Sequence, residues 1–156
     1  MKNIGIIGCN CRENVIGKSL LQNQKNINVY YIGDHANIGL DELGCIYDKV
    51  DMMNLGDILD WCKKYSIEFV IIGPENSLEI GVVDLLESES IKCFGPKKDL
   101  AKLETDKLFC RDFLNKLENR YNISINPVFY KYTENIIKTF KIHNVEFVIK
   151  QTNLAG

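Results

Sequence analysis

Residues 3–14, NIGIIGCNCREN, decide how the rest of this sequence is interpreted. A short apolar run, residues 4–7, ends at Gly8, and a helical pattern begins near Arg12. Short apolar runs bounded by turn residues are typical of strands buried in a parallel sheet. A turn from such a strand into a helix directs backbone N–H groups and the positive end of the helix dipole towards one point. The stretch therefore predicts an anion site suited to a phosphate.

Two charged residues at the start of the predicted helix fit such a site. Arg12 can make a bidentate contact to a phosphate, and Glu13 can accept hydrogen bonds from sugar hydroxyls. A dinucleotide-binding sequence would read G-x-G-x-x-G, whereas the next glycine after Gly8 is Gly17. The pattern therefore leaves open a loop that only connects the first strand and helix of an α/β sheet.

The composition limits the class of protein. A chain of 156 residues suits one domain, or one small domain and part of another, and 46% apolar residues suffice for a core. The net charge of −2 gives no indication of a nucleic-acid or membrane surface. No apolar run approaches the roughly 20 residues of a membrane span, and the N-terminus lacks a signal-peptide pattern. We therefore expect a cytoplasmic protein.

The six cysteines do not form a metal-binding pattern. Cys9 and Cys11 give C-x-C without a second pair, and His35 and His143 lie far away in sequence. We expect all six to be reduced thiols of an intracellular protein, with no metal site in this chain.

The following pattern predicts an α/β domain with a parallel sheet. Residues 28–32, 45–47, 69–72 and 91–94 are predicted strands. One amphipathic helix begins after Asn54, a plausible N-cap, and Trp61 beside its apolar stripe is expected to serve packing. A first helix is predicted by an apolar stripe of Val15, Ile16, Leu20 and Leu21. Another helix, before residue 91, is predicted by the stripe of Leu78, Val82, Leu85 and Leu86.

A second set of polar residues follows the apolar run at 69–72. Gly73, Pro74 and Glu75 end that strand, since proline cannot continue a central strand. The carboxyl ends of parallel strands share one edge of the sheet, where ligands bind. Arg12, Glu13 and Glu75 are therefore expected to gather there. For Glu75 alone, an N-cap of the next helix is an equally good interpretation.

The pattern changes after Pro96. Residues 100–117 predict one helix or two in tandem, followed by an irregular segment over 119–126. Residues 127–130 and 147–150 are predicted strands, and Ile136, Ile137 and Phe140 indicate a helix between them. A sheet of two or three strands is marginal by itself, so this part resembles the start of a larger unit.

The order and spacing of these motifs resemble glycinamide ribonucleotide synthetases, also called phosphoribosylamine–glycine ligases, which are ATP-grasp enzymes of purine synthesis. The resemblance covers the whole chain. It is carried by Gly8, residues 12–13, 73–75, 81–84, 94–96, 103–109, 112–114, 148–150 and 154–156. It implies a Rossmann-like parallel sheet over residues 1–102, the domain that precedes an ATP-grasp, and an incomplete α+β ATP-grasp subdomain over 103–156.

The resemblance also implies a reaction and its substrates. In this family ATP phosphorylates glycine, and 5-phosphoribosylamine attacks the resulting glycyl phosphate to give glycinamide ribonucleotide, ADP and phosphate. Mg²⁺ is the expected metal, although the family's acidic metal ligands have no counterpart in residues 1–156. Lys107 and Lys150 match two lysines that reach ATP phosphates, which suits a point charge. The substrate-binding positions are Gly8, Arg12, Glu13, Gly73, Pro74 and Glu75.

The chain departs from the family pattern at several positions. In the first loop, Asn10 and Cys11 replace glycines and Asn14 replaces a histidine, and side chains there are expected to weaken close approach of a phosphate. Asp106 places a negative charge beside Lys107. The family's glycine-rich lid would follow Gly156, so we expect residues 1–156 alone not to catalyse the ligase reaction.

Three interpretations remain open at this stage. The first is the N-terminal portion of a ligase, completed where necessary by a separate chain. The second is a non-catalytic module that binds a sugar phosphate or nucleotide. The third is a nicotinamide-dinucleotide protein, which the glycine pattern disfavours and for which only Asp34 follows the second strand.

Overall fold

A computed structural model describes residues 1–143 and 145–153. It divides into two units, Met1–Ala101 and Lys102–Gly156, next to the predicted division after residue 102. Within the described residues, no helix is long and apolar enough to cross a membrane.

The first unit is built on one parallel sheet. Its strands are β1 (Lys2–Ile7), β2 (Ile27–Gly33), β3 (Ile46–Lys49), β4 (Phe69–Ile72) and β5 (Lys92–Phe94). They lie in the order β3-β2-β1-β4-β5, and every neighbouring pair is parallel. The sequence-based prediction of a Rossmann-like α/β fold is confirmed, and each predicted strand lies within two residues of an observed one.

Helices connect the strands, as parallel pairing requires. They are α1 (Cys11–Asn23), α2 (Ile38–Glu42), α3 (Leu55–Lys64), α4 (Glu75–Ile80) and α5 (Val82–Ser88). Asn54 caps α3 as predicted, because its side chain accepts hydrogen bonds from the N–H groups of Gly56 and Asp57. The short α2 lies between the predicted strands at 28–32 and 45–47, where no helix was predicted. The single helix predicted before β5 is two, because Gly81 between them adopts φ 94°.

Alternating side chains of the sheet enter two separate clusters. Ile7, Ile32 and Val70 lie in the cluster that includes Trp61. Neighbouring residues such as Ile6 enter the cluster on the other face. Trp61 is 3% exposed, so its predicted packing role is confirmed. Val15 is the exception in the predicted stripe of α1, since it is exposed.

The second part contains helices and irregular segments. α6 (Lys98–Thr105) crosses the division between the units, and α7 (Lys107–Tyr121) and α8 (Glu134–Ile142) follow. Of the two predicted alternatives, one helix or two in tandem, the structure has the two. α7 continues past the predicted end at Leu117, and Asn122 then ends it in the left-handed conformation.

The strands predicted at residues 127–130 and 147–150 are wrong: neither segment is a strand in the structure. One aromatic ring of each segment lies against a helix instead, while Val128, Val148 and Ile149 are exposed. The ring of Phe140, in α8, lies 5.3 Å from the ring of Tyr130 and 5.4 Å from that of Phe147. An apolar run indicates burial, but a strand also needs a partner for its backbone hydrogen bonds.

Candidate functional site

The connections of the sheet change direction between β1 and β4. The chain passes from β1 to β2 on one side and from β4 to β5 on the other. In open α/β sheets, this arrangement leaves a crevice at the carboxyl ends of the two central strands. Gly8 and Gly73 follow these strands and are held at the sheet by their backbone. The N–H of Gly8 donates to the carbonyl of Ile32, and that of Gly73 to the carbonyl of Ile7, both at 2.9 Å.

Arg12 connects the two loops at this edge. Its Nη1 donates to the backbone carbonyl of Gly73. Its Nη2 lies 2.9 Å from Oε1 of Glu75 in an ion pair. The structure thus brings together Arg12, Gly73 and Glu75, which the sequence placed in one site. Gly8, the fourth residue, lies at the same site because it precedes α1 by only three positions.

Glu75 is the first residue of α4, and Pro74 occupies the N-cap position in an extended conformation. The alternative of Glu75 as the N-cap residue is therefore off by one position. The hydrogen bond from its own backbone N–H, and then the one from Arg12, hold the pKa of the Glu75 carboxyl below its ordinary value. The group is thus a carboxylate at neutral pH, suited to accepting hydrogen bonds from hydroxyls.

Glu13 faces the loop from within the fold. The residue is 3% exposed, and its Oε2 accepts a hydrogen bond of 2.7 Å from the N–H of Asn10. Both glycines of the site make room for this side chain. A Cβ atom would lie 2.7 Å from Cδ of Glu13 at Gly8 and 1.8 Å from Oε1 at Gly73. Glu13 therefore holds the N-terminus of α1 in this structure, and the predicted contact to sugar hydroxyls stays a prediction.

A polar network missed by the sequence analysis lies on the other side of the same loop. Asn37, which caps α2, donates from Nδ2 to the carbonyls of Cys9 and Asn10 at 2.9 and 3.2 Å. Nδ2 of Asn14 donates to Oδ1 of Asn37 at 3.1 Å. Only a weak indication of this network is present in the sequence: Asn37 is followed, in the next turn, by the acidic residue Asp41.

The cysteines of the first loop differ in exposure. Cys9 is 3% exposed, with its Sγ 3.7 Å from Nδ1 of His35, whereas Cys11 is exposed. Among the described residues, no group of three or more histidine, cysteine or acidic side chains is arranged to hold a metal ion.

The two predicted ATP-binding lysines lie in the second unit. Lys107 begins α7, and Asp106 is the N-cap, with its carboxylate accepting from the N–H groups of Leu108 and Phe109. Asp106, which places a negative charge beside Lys107, thus has a structural role as the cap of α7. Nζ of Lys107 donates to the carbonyl of Asn153 at 2.9 Å. Lys150 is exposed and outside any helix or strand. Residues 154–156, part of the resemblance, lie outside the described residues.

A parallel sheet in this order, with helices connecting its strands and polar residues meeting beyond β1 and β4, defines a Rossmann-like α/β domain. Residues 2–104 match the family described as "Phosphoribosylglycinamide synthetase, N domain". The chain belongs to that family. The phosphoribosylamine–glycine ligase of Pyrococcus horikoshii is 35% identical over 153 residues, which are 97% of this chain and 34% of that protein. The corresponding ligase of Thermococcus gammatolerans is 36% identical over 113 residues, 72% of this chain and 25% of that protein.

Solved structures agree with the fold. N5-carboxyaminoimidazole ribonucleotide synthetase from Thermotoga maritima superposes with a TM-score of 0.65 at 17% identity, covering 91% of this chain and 36% of that one. Phosphoribosylglycinamide synthetase from Anaerococcus prevotii gives 0.55 at 14% identity, covering 94% and 35%. The chain thus spans about a quarter to a third of the length of these relatives.

Proposed function

We propose that this chain provides the sugar-phosphate-binding part of a phosphoribosylamine–glycine ligase. The reaction would join glycine to 5-phosphoribosylamine, with ATP as the source of energy. One observation carries the proposal: Arg12, Gly73 and Glu75 contact one another at the crevice beyond β1 and β4. Family membership supplies the class of ligand, and this cluster supplies groups with the chemistry to hold it.

The proposed contacts divide by charge. The N–H groups of the first turn of α1, together with Arg12, would receive the phosphate, because helix N-termini and guanidinium groups both favour anions. Glu75 would accept hydrogen bonds from ribose hydroxyls. Gly73 and Pro74 would shape the wall opposite the loop. Glu13 is proposed to contact the ribose as well, which requires its side chain to become accessible.

The ion pair of Arg12 and Glu75 gives these two roles a physical basis. Because Arg12 and Glu75 carry opposite charges, the two side chains hold each other in place before substrate binds. Nη1 and Nη2 of Arg12 make the contacts to Gly73 and Glu75, and a guanidinium carries five N–H donors in all. The proposed phosphate would bind Arg12 beside Glu75, with the ion pair retained.

ATP would be bound with the help of Lys107 and Lys150. When bound, it supplies the phosphoryl group that activates glycine. The proposed role of the lysines is to offset phosphate charge, and the carbonyl of Asn153 already holds Nζ of Lys107 at the N-terminus of α7. No described residue is assigned to Mg²⁺, so its ligands, like the rest of an ATP-grasp site, would come from further sequence or from a separate chain. We infer a cytoplasmic location from the pathway.

Calorimetric titration of the polypeptide of residues 1–156 with glycinamide ribonucleotide, and separately with Mg-ATP, tests the proposal. We expect the wild-type polypeptide to bind the ribonucleotide. Arg12→Ala should bind it about tenfold more weakly, because one charge-assisted contact is lost. Lys63→Ala is the matched control, because Lys63 forms a similarly exposed ion pair with Glu89 at 3.0 Å.

The outcomes separate the possible functions. Ribonucleotide binding that Lys63→Ala leaves unchanged and Arg12→Ala weakens supports the proposed site. Binding of the ribonucleotide without any effect of ATP would favour a non-catalytic binding module. Absence of ribonucleotide binding by the wild-type polypeptide would contradict the proposal.

A further inference from the structure

The first loop is bound by its carbonyl groups to a residue distant in sequence. Nδ2 of Asn37 reaches the carbonyls of both Cys9 and Asn10. The carbonyl of Asn10 also accepts the N–H of Asn14, which is the first hydrogen bond of α1. One side chain thus contacts two successive peptide groups at the point where β1 ends and α1 begins.

The orientation of the Asn37 amide is fixed by its other partners. Its Oδ1 accepts the backbone N–H of Leu40 at 3.2 Å, and a backbone N–H can only donate. The nitrogen of the amide must therefore face the loop carbonyls. The backbone N–H of Asn37 donates to the hydroxyl of Tyr31 at 2.8 Å, and this hydroxyl donates to Asp41 at 2.6 Å. Tyr31 is fully buried, so Asn37 is anchored to the core of the sheet.

The two carbonyl contacts determine where the loop N–H groups point. In a trans peptide, the carbonyl of one residue and the N–H of the next point in opposite directions. Directing the carbonyls of Cys9 and Asn10 to Asn37 therefore turns the N–H groups of Asn10 and Cys11 away from it. The first of these is observed to do so, since the N–H of Asn10 donates to Glu13 on the opposite side.

We propose that Asn37 is the positioning residue of the first loop, which orients the N–H of Cys11, in the first turn of α1, towards the phosphate of the ribonucleotide. This inference rests on the proposed function. Asn37 contacts the peptide groups of the loop and acts through them on the ligand. It also accounts for a loop that lacks two of the family's glycines: the extra side chains at Asn10 and Cys11 are accommodated in a backbone that an external amide holds in place.

The test replaces the amide without removing the cap of α2. In Asn37→Asp, the carboxylate still accepts the N–H of Leu40, and aspartate is as good an N-cap as asparagine. It cannot donate to the loop carbonyls. Asn54→Asp is the matched control, because Asn54 caps α3 with the same geometry and has no contact with the first loop. Asn37→Ser, which is neutral and also caps helices, separates loss of the donor from the added charge.

The measurements are the dissociation constant of glycinamide ribonucleotide and the melting temperature of the same polypeptides of residues 1–156. We expect Asn37→Asp and Asn37→Ser to weaken binding by about tenfold or more while the melting temperature falls by no more than about 4 °C. Asn54→Asp should change neither. Hydrogen exchange of the Asn10 amide, which donates to Glu13 in the ligand-free protein, should be faster in both Asn37 variants, because the tether of the preceding Cys9 carbonyl is lost.

Each outcome decides the inference. If the wild-type polypeptide binds and both Asn37 variants bind equally well, the inference fails while the proposed function stands. If binding falls only in proportion to unfolding, Asn37 is a residue of general stability and the inference is overturned. If the wild-type polypeptide does not bind the ribonucleotide, the proposed function fails and the inference with it. Should Asn37→Asp not fold, Asn37→Ser alone decides.

Discussion

At the scale of single residues, the charge on Glu75 is the property of the site that can be measured without a ligand. Its pKa is lowered first by the hydrogen bond from its own backbone N–H and second by Arg12. Both partners stabilise the carboxylate in the folded protein and are lost on unfolding. The ordinary value of 4.5 therefore applies to the unfolded chain and a lower one to the folded chain.

This difference predicts a pH-dependent contribution to stability. A depressed folded pKa stabilises the fold above the unfolded value, and the contribution is lost as the pH falls through the folded value. We expect Glu75→Gln to reduce the free energy of unfolding by about 0.5–1 kcal/mol at pH 7, the scale of an exposed ion pair. The difference between wild type and variant should shrink below pH 4.5 and then vanish. Urea unfolding at pH 7, 4.5 and 3 measures it.

Arg12→Ala serves as the internal comparison for that experiment. Since the backbone N–H of Glu75 is the larger cause of the lowered pKa, removing the guanidinium should leave part of the pH dependence in place. A complete loss of pH dependence in Arg12→Ala would contradict this order of causes.

At the scale of elements, the junctions after β1 and β4 are constrained by one buried carboxylate. A Cβ atom at Gly73 would lie 1.8 Å from Oε1 of Glu13, so Gly73→Ala forces Glu13 away from the N–H of Asn10. We expect Gly73→Ala to destabilise the fold by about 2 kcal/mol, in the range for overpacking. In a Glu13→Ala background the same substitution should be nearly neutral. A double-mutant cycle by urea unfolding measures this coupling.

Gly8 provides the contrast within the same cycle. Its φ of 118° is unfavourable for any residue with a Cβ atom, in addition to the contact with Glu13. Gly8→Ala should therefore stay destabilising after Glu13→Ala. Equal rescue of both glycine variants would mean that steric contact with Glu13, and not backbone conformation, accounts for the requirement at Gly8.

The elements show why some structure followed from the sequence and some did not. β4 was predicted at its observed bounds because four consecutive apolar residues are followed by Gly73-Pro74, which a central strand cannot include. The break at Gly81 was missed because the apolar spacing continues across it, whereas only the backbone angle records the left-handed residue. Residues 127–130 and 147–150 gave the same apolar signal as strands, but their aromatic rings pack on α8.

At the scale of the whole molecule, the sequence predicted which polar residues would meet but not how they are held. The carboxyl ends of parallel strands share one edge of the sheet, and this rule places Arg12 and Glu75 together. The burial of Glu13 against Gly73 and the contact of Asn37 with Cys9, 28 positions away, both join loops that are distant in sequence. No local sequence pattern indicates which distant residues come into contact, so the supporting roles of Glu13 and Asn37 could be identified only from the structure.

The single sheet also makes a prediction about how the first unit unfolds. Its two faces are covered by separate clusters, one containing Cys62 and the other Cys9, and these residues are 1% and 3% exposed. Burial raises the pKa of the Cys62 thiol to about 12, so it should not react while folded. Cys11 is exposed and should be labelled first by a disulfide reagent at pH 8.

Both clusters pack on the same five strands. Unfolding that exposes one face of the sheet should therefore expose the other face as well. We expect Cys9 and Cys62 to be labelled at the same rate, after each is normalised to its rate in urea-unfolded protein, and to report one free energy of opening. Mass spectrometry of the labelled peptides follows each cysteine separately. Much faster labelling of Cys9 would show that the face bearing the first loop opens by itself. In that case the proposed phosphate loop belongs to a less stable part of the sheet, and ribonucleotide binding should slow the labelling of Cys9 without changing that of Cys62.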